Sequence, residues 1–309
     1  MTISVVDIGT NTILLLVAQN EGHRIAKILH DEQVIARVGK GVDERRLILR
    51  ESFERAADFL SAYRRTSESL KAERIIAVGT SAIRDAQNRD DFCEFIRQKT
   101  GITIEVLSGD EEAEWTFQGA IGENGGTSGN FTVLDIGGGS TEIIFGSRAK
   151  ILRKVSLDIG CVRISERVLR AQPPTKEMVA SAQTLIRKAL ERIEFDGINT
   201  STAVAVAGTV TTLAAMRLRL DEYDPSSVEG FELRRRDVEE EFERLQEKTI
   251  DQLRSIRQIS PGREDILLAG VLILREFMEW GRLEEIRVSD RGLRYGIMLR
   301  EIRHARSDH

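Results

Sequence analysis

The chain has 309 residues, is 41% hydrophobic and 31% charged, and contains 4 prolines. That is a globular composition long enough for about two domains of roughly 150 residues. A formal net charge of -5 excludes the global basic surface that nucleic acid or an anionic membrane attracts, so positive potential for an anionic substrate must be local. No apolar run approaches the ~20 residues of a membrane span. MTISVVDIG lacks the basic region, apolar core and small-residue site of a signal peptide. Cys93 and Cys161 lie far apart with no CxxC, so reduced thiols and a cytoplasmic setting are expected. His23, His30, His304 and His309 form no HxxxH or HxH pair, the spacing zinc ligation favours.

In chain order, apolar runs at Ile3 to Val6 and Ile13 to Ala18 predict two strands joined by a turn, with a third from Arg24 to Leu29. Phe53, Ala56, Ala57, Leu60 and Tyr63 sit at helical spacing. Arg74 to Val78 is a predicted strand, GTSAIRDAQN opens a helix that Asp91 to Lys99 continues, and Ile102 to Val106 is a strand. Ser108, followed three residues later by Glu111, is a predicted N-cap for the next helix. ENGGTSGN, residues 123–130, is a Gly-, Ser- and Asn-rich loop and the candidate boundary between domains. The pattern then restarts: strands at Phe131 to Asp135, Glu142 to Phe145 and Ile151 to Ser156, a helix from Ile164 to Leu169, and a long helix opening at Pro173 and Thr175. Thr202 to Ala207 is an apolar strand running into a helix at AGTVTTLAAM. DVEEEFERL and the amphipathic stretch 264–280 are helices, Ile286 to Val288 is a strand, and GLRYGIMLREIRH closes the chain. The repetition predicts a duplicated α/β fold of two domains with a cleft between them. Helix 264–280 leaves internal packing and a homodimer both open.

Two strand–turn–strand motifs carry the chemistry. SVVDIGTNTILLLVA places Asp7 before a turn of Thr10, Asn11 and Thr12; TVLDIGGGSTEIIFG places Asp135 before Gly137, Gly138, Gly139, Ser140 and Thr141, with Glu142 after. Glycine lets successive backbone N–H groups converge on an anion. Neither turn contains the lysine of a GxxxxGK[ST] phosphate loop. Acids beside a phosphate site imply a bridging cation, and hard oxygen ligands favour Mg²⁺, which takes only one or two protein carboxylates. Asp7, Asp135 and Glu142 are therefore the candidate metal residues. Gly208 and Thr209, where an apolar strand meets a helix, suit a further phosphate contact.

Together these motifs resemble the actin-like (ribonuclease H-like) ATPase superfamily, and within it the exopolyphosphatase / guanosine pentaphosphate phosphatase family. The resemblance rests on DIGTNT (7–12), GTSAIRDA (79–86), SGDEEA (108–113), DIGGGSTE (135–142), IGCVRISE (159–166), AGTVTTLAA (207–215) and SDRGLRYGI (289–297). It implies the short form of the family, with two actin-like domains at 1–124 plus 297–309 and at 125–296. It also implies Mg²⁺-dependent hydrolysis of a terminal phosphate from inorganic polyphosphate or guanosine pentaphosphate. Carried over by motif, Glu112 is the catalytic base, Arg84 grips phosphate, and Asp135 and Glu142 match metal and water positions. Tyr295 stands where many relatives have an acid. A non-catalytic, alarmone-binding regulator is the alternative. Arg163 and Arg263 are secondary candidates for further phosphates of a chain, and Arg234, Arg235 and Arg236 read as a solvated run before a helix.

Overall fold

The computed structural model describes residues 1–122, 129–194, 198 and 201–304. Contacts divide the chain into two compact units, Met1–Glu123 with Leu293–His309, and Asn124–Gly292. Most of the expected boundary loop, residues 123–128, lies outside the described residues.

The first unit runs β1 (Thr2–Ile8), β2 (Thr12–Glu21), β3 (Arg24–Ile35), α1 (Val42–Arg45), α2 (Arg50–Ser69), β4 (Arg74–Gly79), α3 (Ser81–Asp85), α4 (Arg89–Thr100), β5 (Ile104–Val106) and α5 (Gly109–Ile121). The second runs β6 (Asn130–Ile136), β7 (Thr141–Ser147), β8 (Ile151–Leu157), α6 (Cys161–Arg167), α7 (Lys176–Leu190), β9 (Thr202–Val206), α8 (Gly208–Leu218), α9 (Pro225–Val228), β10 (Glu232–Arg234), α10 (Arg235–Gln246), α11 (Ile250–Arg254), α12 (Leu267–Trp280) and β11 (Glu285–Val288). The last helix, α13 (Leu293–His304), returns to the first unit.

The sheet orders are β3-β2-β1-β4-β5 and β10-β11-β9-β6-β7-β8. β1 is antiparallel to β2 and parallel to β4, and β6 is antiparallel to β7 and parallel to β9. The second sheet therefore repeats the first and adds one antiparallel edge strand, β10. In each unit the acid-bearing strand has a parallel neighbour, so the candidate residues lie at carboxyl ends of strands, where open α/β sheets bind ligands.

The alternation of β1 divides the first core. Val6 and Ile8 pack with Ile13, Leu15, Leu60 and Phe92. Ile3 and Val5 pack instead with Leu16, Val78 and the α13 side chains Leu293, Tyr295, Ile297, Met298 and Ile302. Burying a large apolar side chain is worth about 1.5–3 kcal/mol. Those five α13 residues outweigh a closure cost on the order of 5 kcal/mol for the long loop that the second unit forms. Arg294 and the Tyr295 hydroxyl both donate to Asp31 on β3, at 3.1 and 2.9 Å. α13 thus enters the first unit at Leu293, four residues before the expected 297. In the second unit, α12 buries its apolar residues within the core against α7, α8 and α10.

Besides the short elements α1, α9, β10 and α11, which the pattern does not announce, three elements differ from the pattern-based expectation. β3 continues to Ile35 because its charged residues occupy an exposed edge, where apolar alternation is not required. The helix expected from 79 to 99 is two, since Ala86 adopts an extended conformation after α3. α6 begins at Cys161 rather than at Ile164, for a reason that belongs to the glycine turn below.

α13 crosses α5 at close range. A Cβ on Gly296 would lie 1.8 Å from the Trp115 carbonyl oxygen. Gly296→Ala is expected to destabilise the protein by about 1–3 kcal/mol, read as a lower urea midpoint; an unchanged midpoint would show that backbone contact does not set this crossing.

Candidate active site

In the first unit, the turn after β1 closes through Gly9 N–H donating to Thr12 O at 2.9 Å. Its carbonyls are taken from behind: Gly39 N–H donates to Thr10 O and Arg37 N–H to Asn11 O, both at 2.8 Å. In a planar trans peptide the N–H points opposite to the C=O. The N–H groups of Asn11 and Thr12 therefore face away from the 37–39 segment. Gly39 is needed for this approach, since a Cβ there would meet Thr10 Cγ2 at 2.4 Å. Arg55 secures the segment by donating from Nε to Ala36 O at 2.6 Å. The Thr10 hydroxyl bonds with Ser81 Oγ at the start of α3. Asn11 Nδ2 is a buried donor with no hydrogen-bond partner among the described residues. Asp7 is half-buried at the end of β1.

Glu112 separates from its acidic neighbours by burial. Glu111 closes the capping box with Ser108, as its spacing predicts, and Asp110 and Glu111 are exposed. Glu112, one residue on, is 7% exposed. Arg84 donates from Nη1 to Glu112 Oε2 at 2.8 Å and to Leu107 O at 3.0 Å. Burial pushes the Glu112 carboxyl above the usual carboxylate range, Arg84 pulls it back, and Asp85 adds a smaller upward push. The structure thus joins Glu112 and Arg84, which lie apart in sequence.

The second unit repeats the turn with a tighter mould. Cys161 N–H donates to Gly137 O at 2.9 Å, Val162 N–H to Gly138 O at 2.9 Å, and Arg163 Nε to Gly139 O at 2.6 Å. These bonds start α6 at Cys161. By the same peptide geometry, the N–H groups of Gly138, Gly139 and Ser140 face away from α6. Gly160 permits the contact, because a Cβ there would lie 2.3 Å from Gly138 O. Ser140 Oγ is buried with no partner among the described residues. Thr141 departs from the expectation: it is fully buried and its hydroxyl donates to Ile159 O, so that donor is spent inside the fold.

Asp135 and Glu142 are direct cross-strand partners, with Ser156 next in the row on β8. Cross-strand partners share a face of the sheet. Ser156 Oγ donates to Glu142 Oε1 at 2.6 Å. The equivalent pair in the first unit is Asp7 with Leu14, so only the second turn carries two acids. This two-carboxylate donor set fits Mg²⁺, which keeps waters and substrate oxygens in its remaining positions. Among the described residues no group of three or more His, Cys, Asp or Glu could hold a metal.

At the end of β9, Ala207 takes φ 76° and ψ 173°, a region that costs a non-glycine residue of order 1–3 kcal/mol. The Arg263 guanidinium lies over Gly208, where a Cβ would meet Nη1 at 1.4 Å. Arg263 is half-buried; desolvation lowers its pKa, while Cys161, Tyr223 and Asp290 favour the charged form. Burial pushes the Cys161 thiol up to about 11. Thr209 is buried against Gly270 of α12, where a Cβ would meet its hydroxyl at 2.1 Å. Sequence reasoning missed Gly39 and Gly160. Their signal is a glycine shortly after the third strand of each repeat, Gly39 in VGKG and Gly160 in the IGCVRISE motif, and neither position reads from sequence as part of the site.

Residues 16–305 match the sequence model of the Ppx/GppA phosphatase family. The chain is 35% identical to Exopolyphosphatase 2 of Mycobacterium tuberculosis, over 96% of this chain and 97% of that protein. It is 26% identical to the guanosine-5'-triphosphate,3'-diphosphate pyrophosphatase of Photobacterium profundum, over 97% of this chain and 59% of that protein. The Aquifex aeolicus Ppx/GppA crystal structure superposes with a TM-score of 0.82 at 30% identity, covering 100% of this chain and 99% of that one. A Cytophaga hutchinsonii exopolyphosphatase superposes with a TM-score of 0.90 at 26% identity, covering 98% of each chain. With both sheets built on one actin-like plan, the chain belongs to the Ppx/GppA phosphatase family and is a phosphohydrolase.

Proposed function

We propose that the protein is an exopolyphosphatase that hydrolyses the terminal phosphoanhydride bond of inorganic polyphosphate, with Glu112 as general base and Mg²⁺ as cofactor. The observation that carries the mechanism is the buried Glu112 carboxylate held by Arg84 at 2.8 Å. Of the three consecutive acids, it alone is withdrawn from water. A base with a raised proton affinity is better matched to a water nucleophile near neutral pH. Arg84, anchored through Leu107 O, presents a planar donor to transition-state charge. The outward N–H groups of each turn are donors for phosphate oxygens, and the start of α8 at Gly208 is a further donor, with Thr209 behind it packed on Gly270. Mg²⁺ held by Asp135 and Glu142, with Asp7 as the corresponding acid of the first unit, would polarise the phosphoryl group. The polyphosphate reading is favoured by the near end-to-end match to Exopolyphosphatase 2.

Guanosine pentaphosphate is the second reading, supported by the match of 97% of this chain to the pyrophosphatase of Photobacterium profundum. Phosphate release from polyphosphates of several lengths and from guanosine pentaphosphate, with and without Mg²⁺, separates the two. Mg²⁺-dependent release from polyphosphate is the expected result, and release from the nucleotide alone would replace the first reading with the second.

Glu112→Gln should lower kcat by about 10² to 10⁴, and near wild-type turnover would remove Glu112 from the base role. Because the base acts when deprotonated, the acid limb of kcat/KM should lie above the ordinary carboxylate range. Arg84→Met removes the charge that pulls the Glu112 pKa down, so the limb should move to higher pH. An unmoved limb would mean that the titrating group is not Glu112.

A further inference from the structure

Arg163 reads from sequence as a hand for an extra phosphate of a long chain. The structure gives its side chain a different task. Arg163 is 6% exposed, and its Nε is spent on the Gly139 carbonyl at 2.6 Å. Its own backbone N–H donates to Gly138 O at 3.1 Å, so one residue grips two successive carbonyls of the turn from the same side. Asp158 lies 3.9 Å from Nη2 with an exposed side chain, too distant and too wet to direct the guanidinium.

The three carbonyls of the turn are not held alike. Those of Gly137 and Gly138 accept backbone N–H groups of the first α6 turn, whereas Gly139 O accepts a side chain. A peptide that follows a glycine rotates at little cost, because glycine populates both signs of φ. If the Gly139–Ser140 peptide turns over, its carbonyl replaces its N–H on the ligand side and repels an anion. Ser140 Oγ, buried and unpartnered among the described residues, belongs to the same end of the turn. On the reading of these turns as phosphate sites, we infer that Arg163 is a positioning residue: its Nε fixes the Gly139 carbonyl inward so that the Ser140 N–H is presented to a phosphate oxygen.

The test uses the full chain and inorganic orthophosphate as the binding probe, in Arg163→Lys, Arg163→Met and Arg163→Ala. Lysine keeps the charge but lacks a fixed Nε donor. Both Arg163→Lys and Arg163→Met should weaken orthophosphate binding about tenfold to hundredfold, the worth of a charge-assisted hydrogen bond. The loss should be the same for orthophosphate and long polyphosphate, with no change in salt slope. Added methylguanidinium should restore binding to Arg163→Ala, and methylammonium should not. Wild-type affinity in Arg163→Lys overturns the inference. So does a loss that grows with chain length and flattens the salt dependence, which is the signature of direct chain contact. If Arg163→Met does not fold, the lysine variant and the rescue decide. Failure of the wild type to bind orthophosphate also overturns the inference. A wild type that binds orthophosphate but releases none from polyphosphate overturns the polyphosphate reading while leaving this role of Arg163 standing.

Discussion

A trans peptide cannot offer its carbonyl and its N–H to the same side, and this constraint organises the candidate site. In each unit the strand that carries the aspartate turns back through residues whose carbonyls are claimed from behind, those of Thr10 and Asn11 in the first and of Gly137, Gly138 and Gly139 in the second. Residues 37–39 do this in the first unit, and the start of α6 does it in the second. The exposed side of each turn is thereby made of donors before any ligand arrives. An arginine backs each arrangement, Arg55 through the 36–37 segment and Arg163 directly. Gly39 and Gly160 then find their place in the close approach that the carbonyl bonds require.

The two units share this backbone device but differ in the side chains set around it. Where the second turn has Asp135 opposite Glu142, the first has Asp7 opposite Leu14. The first unit supplies instead the buried Glu112 paired with a half-buried Arg84. The two units thus share a donor turn, to which one adds an acid pair and the other a desolvated carboxylate. Burial of Glu112 and desolvation of Arg263, with positive φ at Ala207, are destabilising features of the kind that function rather than stability selects.

Much of this was legible in the chain. The two Asp-Ile-Gly turns, the restart of the strand pattern, and the Ser108–Glu111 cap all follow from short-range chemistry, and each lies where the spacing put it. The pairing of Arg84 with Glu112 joins residues 28 apart in sequence, and only the resemblance of the motifs singled out either one. The moulds at Gly39 and Gly160 were illegible because their meaning lies in what a missing Cβ avoids, which is a long-range contact. The Thr141 hydroxyl looked like a ligand donor by composition, yet the Ile159 carbonyl claims it. β10 is only three residues long and merges with the arginine run Arg234–Arg236 that opens α10, so no apolar alternation announces it.

The placement of α13 bears on how the protein is made. The second unit is one uninterrupted stretch, whereas the first is split, with its final helix encoded last. As the polypeptide leaves the ribosome, β1 and β2 emerge early, but the Ile3–Val5 side of their sheet is covered only in part, by Leu107 and Trp115, until residues 293–304 follow. The later-synthesised half can thus reach its native core first. The half that begins the chain is the last to close.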